Sequence, residues 1–411
     1  MNILIVSQYY WPENFRITDL AEEMVARGHQ VCVTTSLPNY PKGKLYKGYK
    51  WRIMHEEHNG VNIIRSPVIT RGEGSSFRLF MNYLSFSIIS SIVTPLKLIN
   101  KVDVIFVFGV SPVTSAIPAI VLKKLIKKPI LFWVLDLWPD SAFVNNRLKS
   151  NLLRNTVNKL TSTINRSCDK LLVQSKSFYG PIIASGVDKD DIYYVPSWAE
   201  AIFSNMNEDD LYSEGAVKLE KRFYITFAGN IGAGQDIQCI IEAAKRLLNI
   251  NDNIHWLFIG EGSKYEWLRR SVKEFGLECV VHLIGRQPLN LMPYYFSISS
   301  VLIASLKDEH IYSLTIPGKI QSYLAGGRPI ISVINGETSR VVEESRAGIA
   351  VNSGDVDGLI NAAIELFSMS EHDRGKLGAN GKKYYKKMFD RSEIITKIEE
   401  IMRDSIEKNA R

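Results

Sequence analysis

The sequence predicts an α/β protein made of two doubly wound, Rossmann-like domains that face each other across a cleft. Short apolar runs alternate with helical segments, which is typical of parallel strands that are buried on both faces. This alternation stops after residue 198 and resumes at residue 224, so two such domains follow each other along the chain. The length of 411 residues also exceeds that of one ordinary domain.

The first predicted domain covers residues 1–200. A helix over Ile17–Arg27 carries apolar side chains at helical spacing and ends at Gly28. Residues Ala199–Lys221 lose the apolar periodicity and predict the connection to the second domain. The runs that predict strands are Ile3–Val6, Gln30–Thr35, Val102–Phe108, Pro129–Leu135, Lys170–Gln174 and Ile192–Val195.

The second predicted domain covers residues 201–384. Ligands of doubly wound sheets bind outside the carboxyl ends of the strands, so the loops that follow strands are the candidate sites. The predicted strands are Tyr224–Ala228, His255–Ile259, Val280–Ile284, Val301–Ala304 and Ile330–Val333. The predicted helices are Asp236–Leu248, a segment ending near Phe275, Pro317–Ala325, Asp355–Phe367 and, beyond the domain, Ser392–Glu407.

The composition indicates a soluble globular protein, with 45% hydrophobic and 23% charged residues. Four isolated cysteines indicate neither a disulfide framework nor a zinc site, and the N-terminus does not have the pattern of a secretory signal. Residues 1–198 contain 24 Lys and Arg against 14 Asp and Glu, a net charge of +10. This excess favours a membrane, a lipid phosphate or a nucleic acid as partner, although solubility alone is an equal explanation.

The segment Phe77–Asn100 is strongly apolar and is interrupted by serines and Pro95. Its length would span a membrane, but the serines, the proline and its place inside the domain pattern argue against a span. A helix in the membrane interface and a core helix remain the two alternatives. The flanking basic residues are Arg71, Arg78, Lys97 and Lys101, with a second cluster at Lys123, Lys124, Lys127 and Lys128.

Two segments of the second domain suit a diphosphate. The glycine-rich turn over Gly229–Gln235 lets backbone approach a ligand and leads into a helix N-terminus, although a plain turn is the alternative. Its spacing is not that of the dinucleotide-binding fingerprint. The loop after Ala304 ends at Thr315, the predicted cap of the next helix, and Lys319 lies in its first turn. A lysine there opposes the helix dipole unless an anion binds above it; plain solvent exposure is the alternative.

Two segments of the first domain suit a sugar acceptor. Asp136 follows a buried strand, where it can accept a proton or orient a sugar, and Trp138 can stack on a pyranose face. Alternatively, Asp136 caps the following turn and Trp138 belongs to the core. The loop after the first strand contains Glu13, Asn14 and Arg16 beside aromatic residues, or else Glu13 and Arg16 form a weak surface pair.

The chain resembles the family 4 glycosyltransferases, which have the GT-B fold, and especially those that build bacterial capsule, O-antigen and other exopolysaccharides. The resemblance covers nearly the whole chain and is carried by Tyr9–Arg16, Pro38-Asn39-Tyr40-Pro41, Asp136–Ser141, Gly229–Gln235 and Ile316–Pro329. It implies a donor-binding C-terminal domain, an acceptor-binding N-terminal domain and a C-terminal helix, about residues 385–411, that packs back on the first domain. It also implies transfer with retention of configuration and without a metal or cofactor.

The chain departs from the family pattern in three places. Asn230 and Gln235 stand near positions where many members have Arg and Lys, and the E-x7-E pattern that begins at Glu309 meets Pro317 in place of its second Glu. The frequent N-terminal catalytic His is also missing, and Asp136 lies near its place. The ribose partner is therefore unassigned.

The predicted site residues fall into three sets. The catalytic set is Asp136, Glu309 and Lys319, and the acceptor set is Glu13, Asn14, Arg16 and Trp138. The donor set is Gly229, Asn230, Gly232, Gln235, Arg286, Ser313, Leu314, Thr315 and Lys319.

We predict transfer of a sugar, UDP-linked and with N-acetylated sugars among the candidates, to a lipid-linked saccharide at the inner face of a bacterial membrane. An anionic membrane surface is an expected partner, and nucleic acid is not. A UDP-sugar 2-epimerase of the same fold and a non-catalytic nucleotide-sugar-binding subunit are the alternatives.

Overall fold

The structure, a computed structural model, describes residues 1–72, 75–98, 102–143, 151–204 and 214–410. It divides into two compact units, and each is an α/β unit built on a sheet of mostly parallel strands. The N-terminal unit consists of Met1–Val195 and Ile395–Arg411, and the C-terminal unit of Pro196–Ile394. The sequence placed these boundaries near residues 200 and 385.

The N-terminal unit contains an eight-stranded sheet in the part of the chain that the structure describes, with the order β3-β4-β2-β1-β5-β6-β7-β8. The buried central strands β1, β5 and β6 consist almost entirely of apolar residues, as parallel strands covered on both faces require. The strands are β1 Asn2–Val6, β2 Gln30–Ser36, β3 Met54–His58, β4 Val61–Ser66, β5 Val104–Gly109, β6 Ile130–Val134, β7 Lys170–Val173 and β8 Ile192–Tyr194.

A β-hairpin at one edge of this sheet departs from the predicted parallel pattern. β3 pairs antiparallel with β4, and Asn59 and Gly60 form the turn between them with φ of 47° and 77°. Asn-Gly favours such a two-residue hairpin turn because both central residues need a positive φ. The apolar runs did not predict either strand, since β3 is an edge strand of alternating half-buried and exposed polar residues.

The helices of the N-terminal unit are α1 Arg16–Ala26, α2 Ser76–Leu98, α3 Ile117–Ile126, α4 Asp140–Phe143, α5 Asn151–Ser167 and α6 Tyr179–Ala184. Helix α2 is the helix predicted over Phe77–Asn100, and residues 99–101 lie outside the described residues. By length and composition it could cross a bilayer, but half of its most apolar window is buried inside the protein.

Helix α2 has polar side chains on its buried face. Asn82 accepts a hydrogen bond of 2.8 Å from Gln8 Nε2, and the hydroxyl of Ser90 donates to that of Ser66 over 2.9 Å. Leu79, Phe86 and Val93 are also buried, whereas six other large apolar side chains point outward, with exposures from 38% to 77%. An ordinary core helix would not expose so many apolar side chains. These residues, the apolar ridge of α2, are Phe77, Phe80, Leu84, Ile88, Ile92 and Leu96.

The C-terminal unit contains a six-stranded parallel sheet among the described residues, with the order β11-β10-β9-β12-β13-β14. Its strands are β9 Phe223–Ala228, β10 Ile254–Ile259, β11 Val281–Gly285, β12 Val301–Ser305, β13 Ile330–Val333 and β14 Gly348–Val351. Its helices are α7 Ala201–Ser204, α8 Ile237–Leu248, α9 Tyr265–Glu274, α10 Met292–Ile298, α11 His310–Ser313, α12 Gly318–Gly326, α13 Glu337–Ser345, α14 Val356–Ser368 and α15 Glu371–Met388. The sequence did not predict β14.

The predicted connection over Ala199–Lys221 begins too early. Ala199 and Phe203 are buried in a core cluster of the C-terminal unit, where the ring of Phe203 stacks on that of Phe296. Burial of these apolar side chains makes the start of the segment part of the unit rather than a linker. Residues 205–213 of the predicted connection lie outside the described part of the chain.

The last helix, α16 over Arg391–Ala410, joins the N-terminal unit from Ile395 onward. Glu399 accepts hydrogen bonds from Arg27 Nη1 at 3.1 Å and from His29 Nε2 at 3.0 Å. Burial raises the pKa of Glu399, but the hydrogen bonds from Arg403, Arg27 and His29 outweigh it and lower the pKa to about 2. This ionised carboxylate fixes the helix on α1 and β2.

Candidate functional site

The candidate site of the C-terminal unit lies where the strand order reverses. β9 is followed along the chain by its neighbour β10 on one side, whereas β12 lies on its other side. The connections after β9 and β12 therefore diverge, and such a point opens a crevice at the carboxyl edge of a doubly wound sheet. The glycine turn Gly229–Gln235 and the loop Leu306–Pro317 both start at this edge.

Close backbone approach explains the glycines at this edge. Gly229 and Gly260, which follow the neighbouring strands β9 and β10, have φ of 132° and 144°. A Cβ on Gly260 would lie 1.9 Å from the carbonyl oxygen of Gly229, so any larger residue would collide with backbone. Gly262 in turn packs against Ile231, whose N–H donates to the carbonyl of Glu261 over 2.9 Å. These contacts hold the glycine turn against the next loop.

Lys319, in the first turn of α12, reaches the glycine turn. Its Nζ donates to Gln235 Oε1 over 2.7 Å and lies 3.8 Å from the centre of the Phe227 ring. A Cβ built on Gly229 would lie 3.8 Å from the same Nζ. No carboxylate among the described residues forms an ion pair with Lys319. The structure thus brings Gly229 and Gln235 together around the Lys319 amine, which has a hydrogen bond but no ion-pair partner among the described residues.

Burial lowers the pKa of the Lys319 amine to about 7. An ammonium loses hydration when it is buried, and a neutral amide and an aromatic face return only part of that stabilisation. A bound anion would restore the charge, because an opposite charge nearby favours the protonated form. This amine is therefore suited to receive a phosphate group.

The two helix N-termini near the turn differ in their capping. The carboxylate of Asp236 caps α8 and accepts from the N–H of Cys239 over 3.4 Å. The N–H of Cys239 at the start of this helix is therefore not free to bind a diphosphate. At α12, Pro317 occupies the cap position and makes no side-chain cap hydrogen bond. An anion is better accommodated at α12, beside Lys319, because no carboxylate caps that end.

The loop after β12 is engaged with its own backbone at several predicted positions. The N–H of Ser313 donates to Glu309 O and that of Thr315 to Tyr312 O, at 3.3 and 3.2 Å. The N–H of Leu314 is also bonded within this turn. The prediction that Thr315 caps the next helix is wrong, since α12 starts at Gly318 and its cap is Pro317. The Thr315 hydroxyl instead donates to Ile311 O over 2.9 Å.

The remaining donor residues lie at the same edge without a shared contact. Glu309 is exposed at the start of α11, and Arg286 is exposed after β11. Asn230 is exposed in the glycine turn, and its amide lies against Gly232. Tyr312, which the sequence did not predict, has its hydroxyl against Gly234, where a Cβ would lie 2.3 Å away. The loop after β12 therefore packs on the glycine turn through Tyr312.

In the N-terminal unit, Asp136 and Trp138 meet at one serine. Asp136 Oδ2 accepts from the N–H of Ser111 at 3.0 Å and from its hydroxyl at 2.8 Å. Trp138 Nε1 donates to the same hydroxyl at 3.0 Å. Burial raises the pKa of Asp136, and the two Ser111 hydrogen bonds oppose it. The Asp136 carboxylate thus accepts from Ser111, which follows β5, rather than from the turn after Asp136 itself. Trp138 is half-buried and so is not a core residue.

The loop after β1 places its predicted residues differently. Glu13 is buried, and its Oε1 accepts from the N–H groups of Asn39 and Tyr40 at 2.8 and 2.6 Å. Glu13 is thus not the exposed residue that a surface pair with Arg16 would need. Burial raises the pKa of Glu13 to about 7 despite these hydrogen bonds. Asn14 is exposed and Arg16 half-buried.

Two family models match the chain in succession. The description "Glycosyl transferase 4-like domain" matches residues 14–198, and "Glycosyl transferases group 1" matches residues 222–369. The chain belongs to the family 4 glycosyltransferases. This confirms the resemblance that the sequence motifs indicated, and the protein is a glycosyltransferase.

A curated relative of this glycosyltransferase is WcaI of Escherichia coli (strain K12), named as a candidate colanic acid biosynthesis glycosyl transferase. It is 24% identical over 389 residues, which are 91% of this chain and 94% of WcaI. Its name is that of an exopolysaccharide enzyme, the subgroup that the motifs of this chain resemble.

Solved structures with the same fold include sucrose-phosphate synthase from Thermosynechococcus elongatus, with a TM-score of 0.76, 16% identity and 98% of each chain covered. Another is HepE of Anabaena in complex with UDP and glucose, with a TM-score of 0.69 and 11% identity over 98% of this chain and 99% of HepE. The likeness confirms the predicted class of two doubly wound α/β units.

Proposed function

We propose that this glycosyltransferase moves a sugar from a UDP sugar to a lipid-linked saccharide during synthesis of a bacterial surface polysaccharide. Transfer retains the anomeric configuration and needs no metal ion or other cofactor. The observation that carries the proposal is the unpaired Lys319 amine beside the glycine turn. The UDP complexes of HepE, a protein of the same fold, are consistent with a nucleotide-sugar donor.

The C-terminal unit would bind the leaving diphosphate. Its oxygens would face the uncapped start of α12 and the Lys319 ammonium, which neutralises the charge that develops as the bond to the sugar breaks. Gln235 would position Lys319 through the 2.7 Å hydrogen bond that the two side chains share. Glu309, exposed on the loop after β12, remains our candidate for contacting the donor sugar.

The N-terminal unit would bind the acceptor. In the transfer step the bond between the anomeric carbon and the diphosphate oxygen breaks, and the acceptor oxygen bonds to the same face of that carbon. The acceptor proton passes to a donor phosphate oxygen. Asp136 would orient the acceptor hydroxyl, since Ser111 holds its carboxylate from one side. Trp138 would pack against the acceptor ring.

The acceptor's lipid would keep the enzyme at the inner face of the plasma membrane, with the apolar ridge of α2 in the interface. Six outward apolar side chains at spacings of three and four residues cover one side of the helix. Basic residues lie at both of its ends and on the adjacent α3, which suits anionic headgroups. A ridge of this size on a water-exposed surface needs a partner.

The transfer is tested by incubating the purified protein with a mixed nucleotide-sugar pool and lipid-linked acceptors, followed by mass spectrometry. We expect UDP and an acceptor that is one sugar larger as products. NMR should show that the anomeric configuration of the transferred sugar is retained, and EDTA should leave the transfer rate unchanged. Lys319→Ala should weaken UDP binding in calorimetry. Unchanged UDP affinity would remove Lys319 from the site, and epimerisation of the donor without acceptor would favour the 2-epimerase.

Membrane binding is tested separately by flotation with phosphatidylglycerol vesicles. We expect the wild type to float and the double variant Ile88→Ser, Ile92→Ser to stay in the lower fraction. Ile183→Ser is the matched control, because Ile183 is exposed on α6 of the same unit and lies outside the ridge. Equal flotation of all three proteins would contradict the role of α2.

A further inference from the structure

Three neighbouring parallel strands of the N-terminal unit, β4, β2 and β1, converge on one arginine at their carboxyl ends. Arg71 follows β4, Tyr40 follows β2, and Tyr9 follows β1. The Arg71 guanidinium carbon lies 5.0 Å from the centre of the Tyr40 ring and 5.7 Å from that of Tyr9. Its Nη1 donates to the Tyr9 hydroxyl over 3.0 Å. The guanidinium thus lies against two aromatic rings, whose own centres are 5.7 Å apart.

The surrounding loops fix this arrangement. The backbone N–H of Arg71 donates to Asn39 Oδ1 over 3.2 Å, and Glu13 binds the N–H groups of Asn39 and Tyr40. The Tyr9 ring also stacks on Phe15 at 4.9 Å between centres. Glu13 and Asn39 therefore work as positioning residues that hold the loop carrying Tyr40 against Arg71. A cation held this firmly loses little entropy when it binds a ligand.

No carboxylate neutralises this guanidinium among the described residues, which omit 73 and 74. One hydrogen bond to a phenol uses one of its five donors, so the remaining fork is available. Aromatic faces stabilise a guanidinium without cancelling its charge. A half-buried arginine of this kind is suited to a ligand with a negative charge and several acceptor oxygens.

Further cations surround Arg71. The N–H of Gly72 donates to Gly43 O over 3.0 Å, which brings the exposed Lys42 and Lys44 beside the arginine's own loop. The side chain of Arg78 folds over Gly72, where a Cβ would lie 2.8 Å from Arg78 Cδ. Residues 24–55 contain no Asp or Glu. Lys42, Lys44 and Arg78 thus add three positive charges near Arg71, against one carboxylate in the same loop, Glu73, which lies outside the described residues. This excess favours a ligand with more than one negative charge.

The start of the apolar ridge adjoins this cationic site. Phe77 and Phe80 are exposed in the first turns of α2, and Arg78 lies between them in the sequence. Ile69, exposed two residues before Arg71, donates its N–H to Ser85 of the same helix. A ligand that joins an anionic group to a long apolar chain would satisfy both surfaces.

We propose that Arg71, clamped by Tyr9 and Tyr40 and assisted by Arg78, binds the diphosphate of the lipid-linked acceptor, whose chain follows the apolar ridge of α2. This rests on the proposed function and adds a diphosphate-binding residue on the acceptor side. The guanidinium fork pairs with two phosphate oxygens, and the rings keep it from turning away.

The test uses the full-length protein and farnesyl diphosphate as a water-soluble probe, with binding measured by calorimetry. Arg71→Gln should weaken probe binding about tenfold or more, the usual size of a lost charge-assisted hydrogen bond. Arg71→Lys should recover only part of it, since an ammonium cannot bond in two parallel directions. Arg78→Gln, on the surface, should also weaken binding and guards against a folding defect in the first variant.

Arg166→Gln is the matched control, since Arg166 is exposed on α5 of the same unit, and it should bind the probe as the wild type does. UDP affinity should be equal in all variants, which separates this site from the donor site. Equal binding of the probe by Arg71→Gln and wild type would overturn the proposal while leaving UDP-dependent transfer intact. If Arg71→Gln instead loses affinity for phosphatidylglycerol vesicles as strongly as for the probe, the anion is a bilayer headgroup and the acceptor assignment fails.

Discussion

The strongest prediction concerns the pH dependence of UDP binding, because Lys319 has a pKa of about 7. If the diphosphate needs the ammonium form, apparent affinity follows the protonated fraction of the free enzyme. That fraction falls from about 76% at pH 6.5 to about 3% at pH 8.5 for such a group. UDP affinity should therefore fall about 25-fold across this range. Ionisation of the UDP phosphate near pH 6 opposes this by less than about twofold.

Isothermal titration calorimetry in buffers of different ionisation enthalpy measures the UDP affinity and the number of protons taken up on binding. The wild type should take up about one proton per UDP at pH 8.5 and about none at pH 6.5, where the quarter of a proton that Lys319 gains is balanced by the quarter that the UDP phosphate loses. Lys319→Arg is the informative variant, because a guanidinium stays charged throughout this range. It should bind UDP with little pH dependence and without proton uptake.

Lys319→Met should bind UDP weakly at every pH. Its affinity should be about 10- to 150-fold below that of the wild type at pH 6.5, as expected for a lost charge-assisted hydrogen bond. Two results would refute the reasoning. Wild-type affinity that is equal at pH 6.5 and 8.5 would mean that the amine does not meet the diphosphate. If UDP affinity of Lys319→Arg depended on pH as strongly as that of the wild type, the titrating group would be one other than Lys319.

Three further outcomes follow from the N-terminal unit. Asp136→Asn should lower kcat about 100-fold with UDP affinity unchanged, as for loss of the group that orients the acceptor hydroxyl; steady-state kinetics that match the wild type would end its role. Ser111→Ala removes a hydrogen bond that lowers the pKa of Asp136, so the acidic limb of the kcat profile should move to higher pH rather than stay in place. Burial raises the Glu13 pKa to about 7, so its carboxylate costs stability progressively above its unfolded pKa. Relative to the wild type, Glu13→Gln should therefore gain up to about 3 kcal/mol in unfolding free energy between pH 4 and pH 8, and a constant difference in urea titrations would contradict this.

The central strands were predictable because parallel strands buried on both faces must be apolar along their length. The edge hairpin was not, since β3 reads Met-His-Glu-Glu-His and its pairing depends on the Asn59-Gly60 turn rather than on burial. Helix α2 was predicted within one or two residues at each end. Which of its faces is buried was not predicted, because that face is fixed by hydrogen bonds to other elements, from Gln8 to Asn82 and from Ser90 to Ser66.

Parts of the candidate site could be predicted where one short segment by itself shows the feature that matters. The glycine turn and Lys319 could be named from sequence because a cation in a first helical turn is unfavourable without an anion. Ser111 was missed, since its meaning comes only from β5 lying beside β6, which brings its hydroxyl to Asp136. Asp236 directly precedes α8, so its cap could also be predicted from the sequence, and a capping carboxylate disfavours an anion at that helix end.

The capping difference between α8 and α12 has a consequence for how the donor is bound. A carboxylate at the α8 N-terminus disfavours a second negative charge there, whereas α12 offers a helix dipole, an uncapped first turn and an amine that is largely neutral above pH 7. A neutral amine lowers the cost of the empty site, since a buried unpaired ammonium would destabilise the fold. At pH 7 about half of the free enzyme lacks this charge, so we expect diphosphate binding to draw a proton onto that half and to be coupled to protonation of Lys319.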